Sequence, residues 1–280
     1  MSETLSLHPI AGNPSVMLRG IEDVDAPMRR IFPLWLLQRA VRLQQLTLVR
    51  PGNWEDPHED PASLCMLNGQ AFGRGQQPLT DYLAPAWGQC WSFNPGSDTL
   101  MRAYSRVILD PLESRNVDPR NEGVSVVTTP RRMKEAMKAW QAHIGKGHFV
   151  LGCVAYLAPE EISQQLARIL NSDLGPKFFR MVQGRAHSLL WKRNFFHHEQ
   201  EVRLLHIQPD DDPNSSSLLH LPFDPNQLFQ DISFDPRLRD FERDEREAEM
   251  RRVGYTGAIS YDESYLKTLT GIHMTKDWGA

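Results

Sequence analysis

Two glutamates at the start of a short predicted strand have the residue types and spacing that could do chemistry. Alternating apolar residues predict a strand from Glu201 to Ile207, and in such a strand Glu199 and Glu201 point to one face, beside Arg203. Carboxylates held on a strand can orient a substrate hydroxyl or accept a proton. The alternative interpretation is that both glutamates are exposed to solvent at the start of the strand and have no chemical role, because charged side chains are mostly exposed.

The elements around this strand predict an α+β fold, with mixed or antiparallel central strands flanked by helices. No repeat or linker interrupts the chain, so we expect a single domain over residues 1–280. Apolar spacing predicts a helix from Met28 to Gln45, with Pro33 in its first turn. Thr129 and Pro130 predict the N-cap and the first residue of another helix.

Composition and charge narrow the class of protein. The chain has 280 residues, of which 40% are hydrophobic, as in ordinary folded proteins. A formal net charge of -4 gives no electrostatic footprint for general nucleic-acid or membrane binding, and leaves a local basic patch open. Cys65, Cys90 and Cys153 lack the spacing of a zinc site or a disulfide framework. There is no signal-peptide pattern, and the longest apolar run, 149–158, is too short to span a bilayer, so we expect a cytoplasmic protein.

Several short motifs follow one another in an order that is informative as a set. They are Arg19, the loop Trp54–Glu59, the triplet Cys90–Ser92, the segment Met101–Tyr104, the strand Gly123–Thr129, the pair Trp191–Lys192 and the unit Glu199–Arg203. This order resembles a bacterial family of uncharacterised proteins, a domain of unknown function found near toxin and phage-defence genes. The resemblance covers nearly the whole chain. It departs from the family at Gly20, where Tyr is usual, and at Arg102, where Trp is usual.

The same set is more distantly similar to the NAD-dependent ADP-ribosyltransferases of the arginine, serine, glutamate class. In that class an arginine on the first strand anchors the nicotinamide ribose phosphate, a strand serine orders the pocket, and a Glu-x-Glu strand supplies the catalytic acid. The resemblance implies that Arg19 and Ser92 bind NAD, that Glu201 is the catalytic acid and that Glu199 is the second acid. The residue types suit this chemistry, because arginine binds a pyrophosphate bidentately and a carboxylate stabilises a cationic sugar centre.

The resemblance also has implications for ligands and partners. NAD would be a substrate, and Trp91 or Tyr104 would stack on its nicotinamide, with a structural role as the alternative for each ring. A toxin or defence effector of this kind would transfer ADP-ribose to an unidentified macromolecule or small molecule, with nucleic acid left open. A neutralising partner protein would fit this role, and no membrane partner is expected.

Two other functions stay open at the level of sequence. One is a metal-dependent nuclease or phosphodiesterase, in which the two glutamates and nearby groups hold Mg²⁺ or Mn²⁺. The groups that could join the glutamates are His197, His198, Asp56, Glu59 and Asp60. The other is a non-catalytic binding or immunity module, in which Arg203 pairs with the acids in a structural strand. Convergence of Arg19, Ser92 and Glu201 on one cleft would favour NAD chemistry.

Overall fold

A large mixed β-sheet organises the computed structural model of this chain. The described residues are 15–68, 75–96, 98–212, 215–262, 265 and 271. Within them the large sheet has ten strands, and two pairs of short strands lie outside it. The predicted α+β fold, with mixed central strands flanked by helices, is confirmed.

The strands of the described residues follow in chain order. They are β1 (Val16–Arg19), β2 (Met28–Pro33), β3 (Gln45–Val49), β4 (Met66–Leu67), β5 (Gln77–Pro78), β6 (Ala86–Ser92), β7 (Gly123–Thr128), β8 (His148–Cys153), β9 (Ala155–Leu157), β10 (Trp191–Arg193), β11 (Glu201–Ile207), β12 (Leu218–Pro222), β13 (Asp231–Phe234) and β14 (Ala258–Ser260). The large sheet has the order β1-β8-β11-β6-β2-β7-β13-β14, and β3 pairs with both β6 and β12. Within this sheet β1 runs parallel to β8 and β13 to β14, while the other pairs are antiparallel.

Helices cover parts of both sheet faces. The α-helices of the described residues are α1 (Leu34–Leu43), α2 (Asp98–Tyr104), α3 (Pro130–Ile144), α4 (Pro159–Leu170), α5 (Val182–Leu189), α6 (Pro225–Leu228) and α7 (Asp240–Arg252). On one face α1 and α3 pack over a core that includes Trp91, Trp140 and Phe149. On the other face α5 packs over Val150 and Leu205. A cleft lies over the part of this same face that β6, β2, β7 and β13 form.

The helix predicted from Met28 to Gln45 is wrong in its first third. Met28–Pro33 is strand β2, and α1 begins at Leu34. Phe32 precedes a proline, which drives the preceding residue towards extended backbone, and Pro33 itself is extended, with φ -55° and ψ 131°. The correction matters for the site, because β2 lies in the middle of the sheet, between β6 and β7.

The start of α3 follows the prediction. Pro130 is its first residue, and the Thr129 hydroxyl accepts a hydrogen bond from the Arg132 backbone N–H at 3.3 Å. In the parts of the chain that the structure describes, no helix combines the length and the apolar character needed to cross a bilayer.

Candidate active site

A cleft of about 1130 Å³ lies on the sheet face that carries Glu201. Cross-strand pairing places Glu201 on β11 opposite Ser92 on β6, and Ser92 opposite Arg29 on β2. Directly opposed residues share a face of a sheet, so the three side chains form one row on the cleft floor. All three border the cleft. The fold therefore brings an arginine, a serine and a glutamate together from three neighbouring strands.

Arg29 is the cation of this row. Its Nη1 atom is buried and has no hydrogen-bond partner among the described residues. The neighbouring Arg30 also has a buried nitrogen, Nε, without a partner among the described residues, but its Nη1 donates to the Cys90 carbonyl oxygen and its guanidinium lies 4.9 Å from the ring centre of Phe32. A buried charged donor without a partner costs roughly 1–3 kcal/mol or more, so Arg29 is suited to an anionic ligand. Sequence analysis missed Arg29 because it placed this segment in a helix, although Pro33 indicated extended backbone before it.

Glu201 stands at the other end of the row and is only 4% exposed. Arg203 Nε donates to its carboxylate at 2.8 Å, and Lys192 Nζ donates to it at 2.9 Å. Burial alone raises the pKa of Glu201, but the two cations outweigh burial and lower that pKa to about 2. The carboxylate is therefore ionised at neutral pH. It can accept a hydrogen bond from a sugar hydroxyl and stabilise positive charge.

Lys192 joins three carboxylates at the wall of the cleft. Its Nζ atom lies 2.6 Å from Glu199, 2.9 Å from Glu59 and 2.9 Å from Glu201. Burial opposes the charge on Lys192, but these carboxylates raise the pKa of the ammonium group above its usual value. The fully buried Arg203 adds a second cation beside Glu59 and Glu201. Sequence analysis gave Lys192 no role, since only its place in the Trp-Lys motif marked it.

Glu199 reaches the cleft from a turn and does not lie on the strand. It ends a 3₁₀ turn over residues 194–199, and Gln200 has a φ of 45° before β11 begins at Glu201. The expected shared strand face is thus wrong, because the left-handed residue breaks the alternation. The two carboxylates nevertheless meet, since both bind the ammonium group of Lys192.

Ser92 holds this turn in place. Its hydroxyl donates to the Glu199 carbonyl oxygen at 2.5 Å and accepts from the Asn94 backbone N–H at 2.9 Å. Ser92 also pairs with Glu201 across β6 and β11. These contacts make Ser92 a residue that positions both acids.

Arg19 lies on the same sheet face but does not border the cleft. It ends β1 and aligns with Gly152 on β8 and, through Gly152, with Arg203 on β11. Strands β8 and β11 therefore lie between β1 and β6, the strand that carries Ser92. The Arg19 side chain is near His187, whose pKa is lowered to about 4 by burial and by the charge of Arg19. The structure therefore brings Ser92 and Glu201 together without Arg19, and the arginine opposite Ser92 is Arg29.

The two aromatic candidates have different surroundings. The Trp91 side chain is 2% exposed and packs edge to face with Phe32, on the core side of the sheet. Trp91 also borders the cleft, and the packing of its ring favours the structural role, while stacking on nicotinamide stays a prediction. Tyr104 ends α2, is 53% exposed and borders the cleft. Partial burial and the nearby Glu199 carboxylate raise the pKa of Tyr104 to about 12, so its phenol stays protonated at neutral pH.

The loop acids suggested as metal ligands are paired with arginines. Asp60 lies 2.6 Å from Arg185 in a buried ion pair, and Asp56 lies 2.8 Å from Arg193. These arginines occupy the carboxylates that a divalent ion would need. The pairing therefore gives both acids a structural role.

One group of described residues does have ligand atoms close enough to hold a metal ion. The nearest ligand atoms of Glu59, Cys90 and Glu201 all lie within 4.8 Å of one another. Both carboxylates already bind Lys192, and burial together with the charge of Glu201 raises the pKa of the Cys90 thiol well above its usual value. A cationic side chain and a protonated thiol at this point disfavour a metal centre.

Comparisons with known proteins show only a distant likeness. No family model and no curated protein matches this chain. Among solved structures, it is similar to Thermus sp. 2.9 DarT in complex with ADP-ribosylated ssDNA, with 10% identity, a TM-score of 0.37 and coverage of 85% of this chain and 95% of that chain. The same DarT in complex with NAD+ gives 11% identity, a TM-score of 0.36 and coverage of 85% and 96%. At TM-scores this low the function has to rest on the residues of the cleft.

Proposed function

We propose that this chain is an NAD-dependent ADP-ribosyltransferase that acts as a toxin or defence effector. The observation that carries the proposal is the row of Arg29, Ser92 and Glu201 on one cleft floor, in which the buried Nη1 atom of Arg29 finds no partner in the part of the chain that the structure describes. This row has the residue types of the arginine, serine, glutamate class, with Arg29 in the role that the sequence gave to Arg19.

The cleft is suited to a dinucleotide in size and in charge pattern. Its volume of about 1130 Å³ slightly exceeds the range of ligand pockets, which run to roughly 1,000 Å³, so a ligand as large as a dinucleotide fits. The Nη1 atom of Arg29, to which none of the described residues is bonded, fits a pyrophosphate, which arginine can bind with two parallel hydrogen bonds. The ionised carboxylate of Glu201 fits the hydroxyl of the nicotinamide ribose.

NAD supplies a glycosidic bond to nicotinamide that breaks with the electron pair leaving on the nicotinamide nitrogen. Glu201 accepts a hydrogen bond from the ribose 2′-hydroxyl and stabilises the positive charge that develops at C1′. Glu199 takes the proton that the attacking acceptor loses as its new bond to C1′ forms. Lys192 holds both carboxylates in place at 2.6 and 2.9 Å, and Tyr104 lies at the cleft edge where a nicotinamide ring would stack.

The acceptor is a macromolecule or a small molecule that reaches Glu199. DarT has been seen in complex with ADP-ribosylated ssDNA, which makes nucleic acid one acceptor class to assay. A neutralising partner protein would bind over the cleft of a toxin.

Calorimetric titration with NAD tests the binding half of the proposal. We expect Arg29→Ala to weaken NAD binding about tenfold to a hundredfold, because it removes charge-assisted hydrogen bonds of roughly 1.5–3 kcal/mol. Arg19→Ala is the matched control, since Arg19 lies on the same face outside the cleft, and it should leave the affinity unchanged. Loss of binding in Arg19→Ala with none in Arg29→Ala would contradict the assignment.

The catalytic half is tested by nicotinamide release and acceptor labelling. Glu201→Gln should abolish product while NAD still raises the melting temperature, because the amide keeps the shape but loses the charge. A melting shift with Mg²⁺ or Mn²⁺ and none with NAD would favour the nuclease. No response to either ligand would favour the non-catalytic binding module, in which Glu201 and Arg203 form a structural ion pair.

A further inference from the structure

The end of the cleft floor opposite Glu201 carries a second polar surface. Cross-strand register places Ser125 on β7 opposite Ser233 on β13, and Ser233 opposite Ser260 on β14. The three serines therefore form a row on one sheet face, and all of them border the cleft. Hydroxyl groups on a sheet floor that faces a cavity can donate to or accept from a polar ligand.

Asp231 lies beside this serine row with an unused acceptor. It precedes Ser233 by two residues on β13, and its Oδ2 accepts a hydrogen bond from the Ser260 hydroxyl. Its Oδ1 atom is buried and has no hydrogen-bond partner among the described residues. Buried acceptors are almost always satisfied by protein, water or ligand, so this oxygen is available to a donor that enters the cleft.

Register also relates Asp231 to Arg29. Arg29 on β2 is opposite Val127 on β7, and Val127 is opposite Asp231 on β13. Arg29 is thus two strands from Asp231, as it is two strands from Glu201. With about 4.8 Å between strands, each separation is about 10 Å along the floor. The row presents carboxylate, guanidinium and carboxylate at equal intervals.

A dinucleotide has the same order of groups: a ribose, a pyrophosphate and a second ribose. We infer, on the basis of the proposed function, that Asp231 and the adjoining serines form the subsite for the adenosine ribose. In this arrangement Asp231 accepts hydrogen bonds from the 2′- and 3′-hydroxyls, while Glu201 serves the nicotinamide ribose and Arg29 the phosphates between them. Both Oδ1 of Asp231 and Nη1 of Arg29 then gain the partners that they lack among residues 15–68, 75–96, 98–212, 215–262, 265 and 271.

This subsite selects between two related ligands. A carboxylate that accepts from a ribose 2′-hydroxyl repels a 2′-phosphate, which is the usual basis for preferring NAD over NADP. Asp231 would therefore make the protein specific for a dinucleotide with a free 2′-hydroxyl on its adenosine. Asp231 is then a specificity-determining residue about 20 Å along the floor from Glu201, since four strand steps of about 4.8 Å separate β11 from β13.

Binding measurements with NAD, NADP and AMP test the subsite without relying on catalysis. We expect the wild-type protein to bind NAD at least about tenfold more tightly than NADP, since the carboxylate loses a hydrogen bond and gains a repulsive charge. Asp231→Asn should bring the two affinities within about threefold of each other, mainly by improving NADP binding. AMP, which lacks the nicotinamide ribose, should bind the wild-type protein and lose affinity in Asp231→Ala.

Asp262→Asn is the charge-matched control, because Asp262 borders the same cleft but lies outside the sheet strands. It should leave the ratio of NAD to NADP affinity unchanged. Ser233→Ala provides a second, mild variant in case Asp231→Asn does not fold, and it should weaken AMP binding without changing the melting temperature greatly.

The outcomes separate this inference from the proposed function. If the protein binds NAD tightly but Asp231→Asn does not change the ratio of NAD to NADP affinity, the subsite is overturned. The transferase proposal then still stands. AMP binding that depends on Asp231, without NAD turnover, supports the subsite and overturns the transferase. Absence of binding by all three nucleotides overturns both.

Discussion

Replacing Lys192 with methionine tests the charge cluster that holds the two candidate acids. In the folded protein this ammonium group is buried and bonded to Glu59, Glu199 and Glu201. Three carboxylates then face two cations, Lys192 and Arg203, and the substitution leaves three against one. Methionine has a similar length and cannot pair with any of them, so the number of uncompensated negative charges in this buried or partly buried cluster rises from one to two.

The expected loss of stability at pH 7 is about 3–5 kcal/mol, the range found when one partner of a buried ion pair is removed. The pKa of Lys192 is raised in the folded state, so its stabilising contribution is present in full at pH 7. Burial already raises the pKa of Glu59 in the wild-type protein, and loss of Lys192 raises it further. Such an acid binds protons more readily folded than unfolded, so the deficit should shrink as the pH falls from 7 towards 5.

Urea unfolding followed by circular dichroism at pH 7 and at pH 5 measures both effects. Lys138→Met is the control, because Lys138 and Glu135 form an ion pair with side chains 53% and 62% exposed. Exposed pairs contribute about 0–1 kcal/mol, so this variant should unfold almost like the wild type. A loss below about 1 kcal/mol in Lys192→Met, or a loss of the same size at both pH values, would refute the reasoning.

Two further predictions concern stability away from the cleft floor. Asp60→Asn should lower the free energy of unfolding, measured with urea, by about 3–5 kcal/mol, because it leaves the buried Arg185 guanidinium without its charge partner. The double variant with Arg185→Met should lose less stability than Asp60→Asn alone. Equal losses in the two proteins would contradict this account. Thr129→Ala should lower the free energy of unfolding by about 1 kcal/mol, because it removes the N-cap of α3. Thr129→Ser keeps the hydroxyl and should unfold within a few tenths of a kcal/mol of the wild type. A Ser variant as unstable as the Ala variant would exclude capping as the cause.

Local patterns of the sequence determined several elements that surround the site. The alternation from Glu201 to Ile207 predicted β11 with its observed bounds, and Thr129 with Pro130 predicted the start of α3. These succeeded because strand alternation and N-capping depend on a few neighbouring residues. The helix predicted across Met28–Pro33 failed because apolar spacing over a short run fits both helix and strand, and the effect of Pro33 on Phe32 was given too little weight.

Sequence by itself predicted the α+β class, which the structure confirms, and it named Ser92 and Glu201, which do meet in the cleft. Only the tertiary structure decided which arginine joins them, because β2 pairs with β6 and places Arg29 opposite Ser92. It also decided that Lys192 binds the acids and that Asp231 lies in the Arg29 row. Strand order and register arise from contacts between residues far apart in the chain, and no local pattern of side chains specifies them.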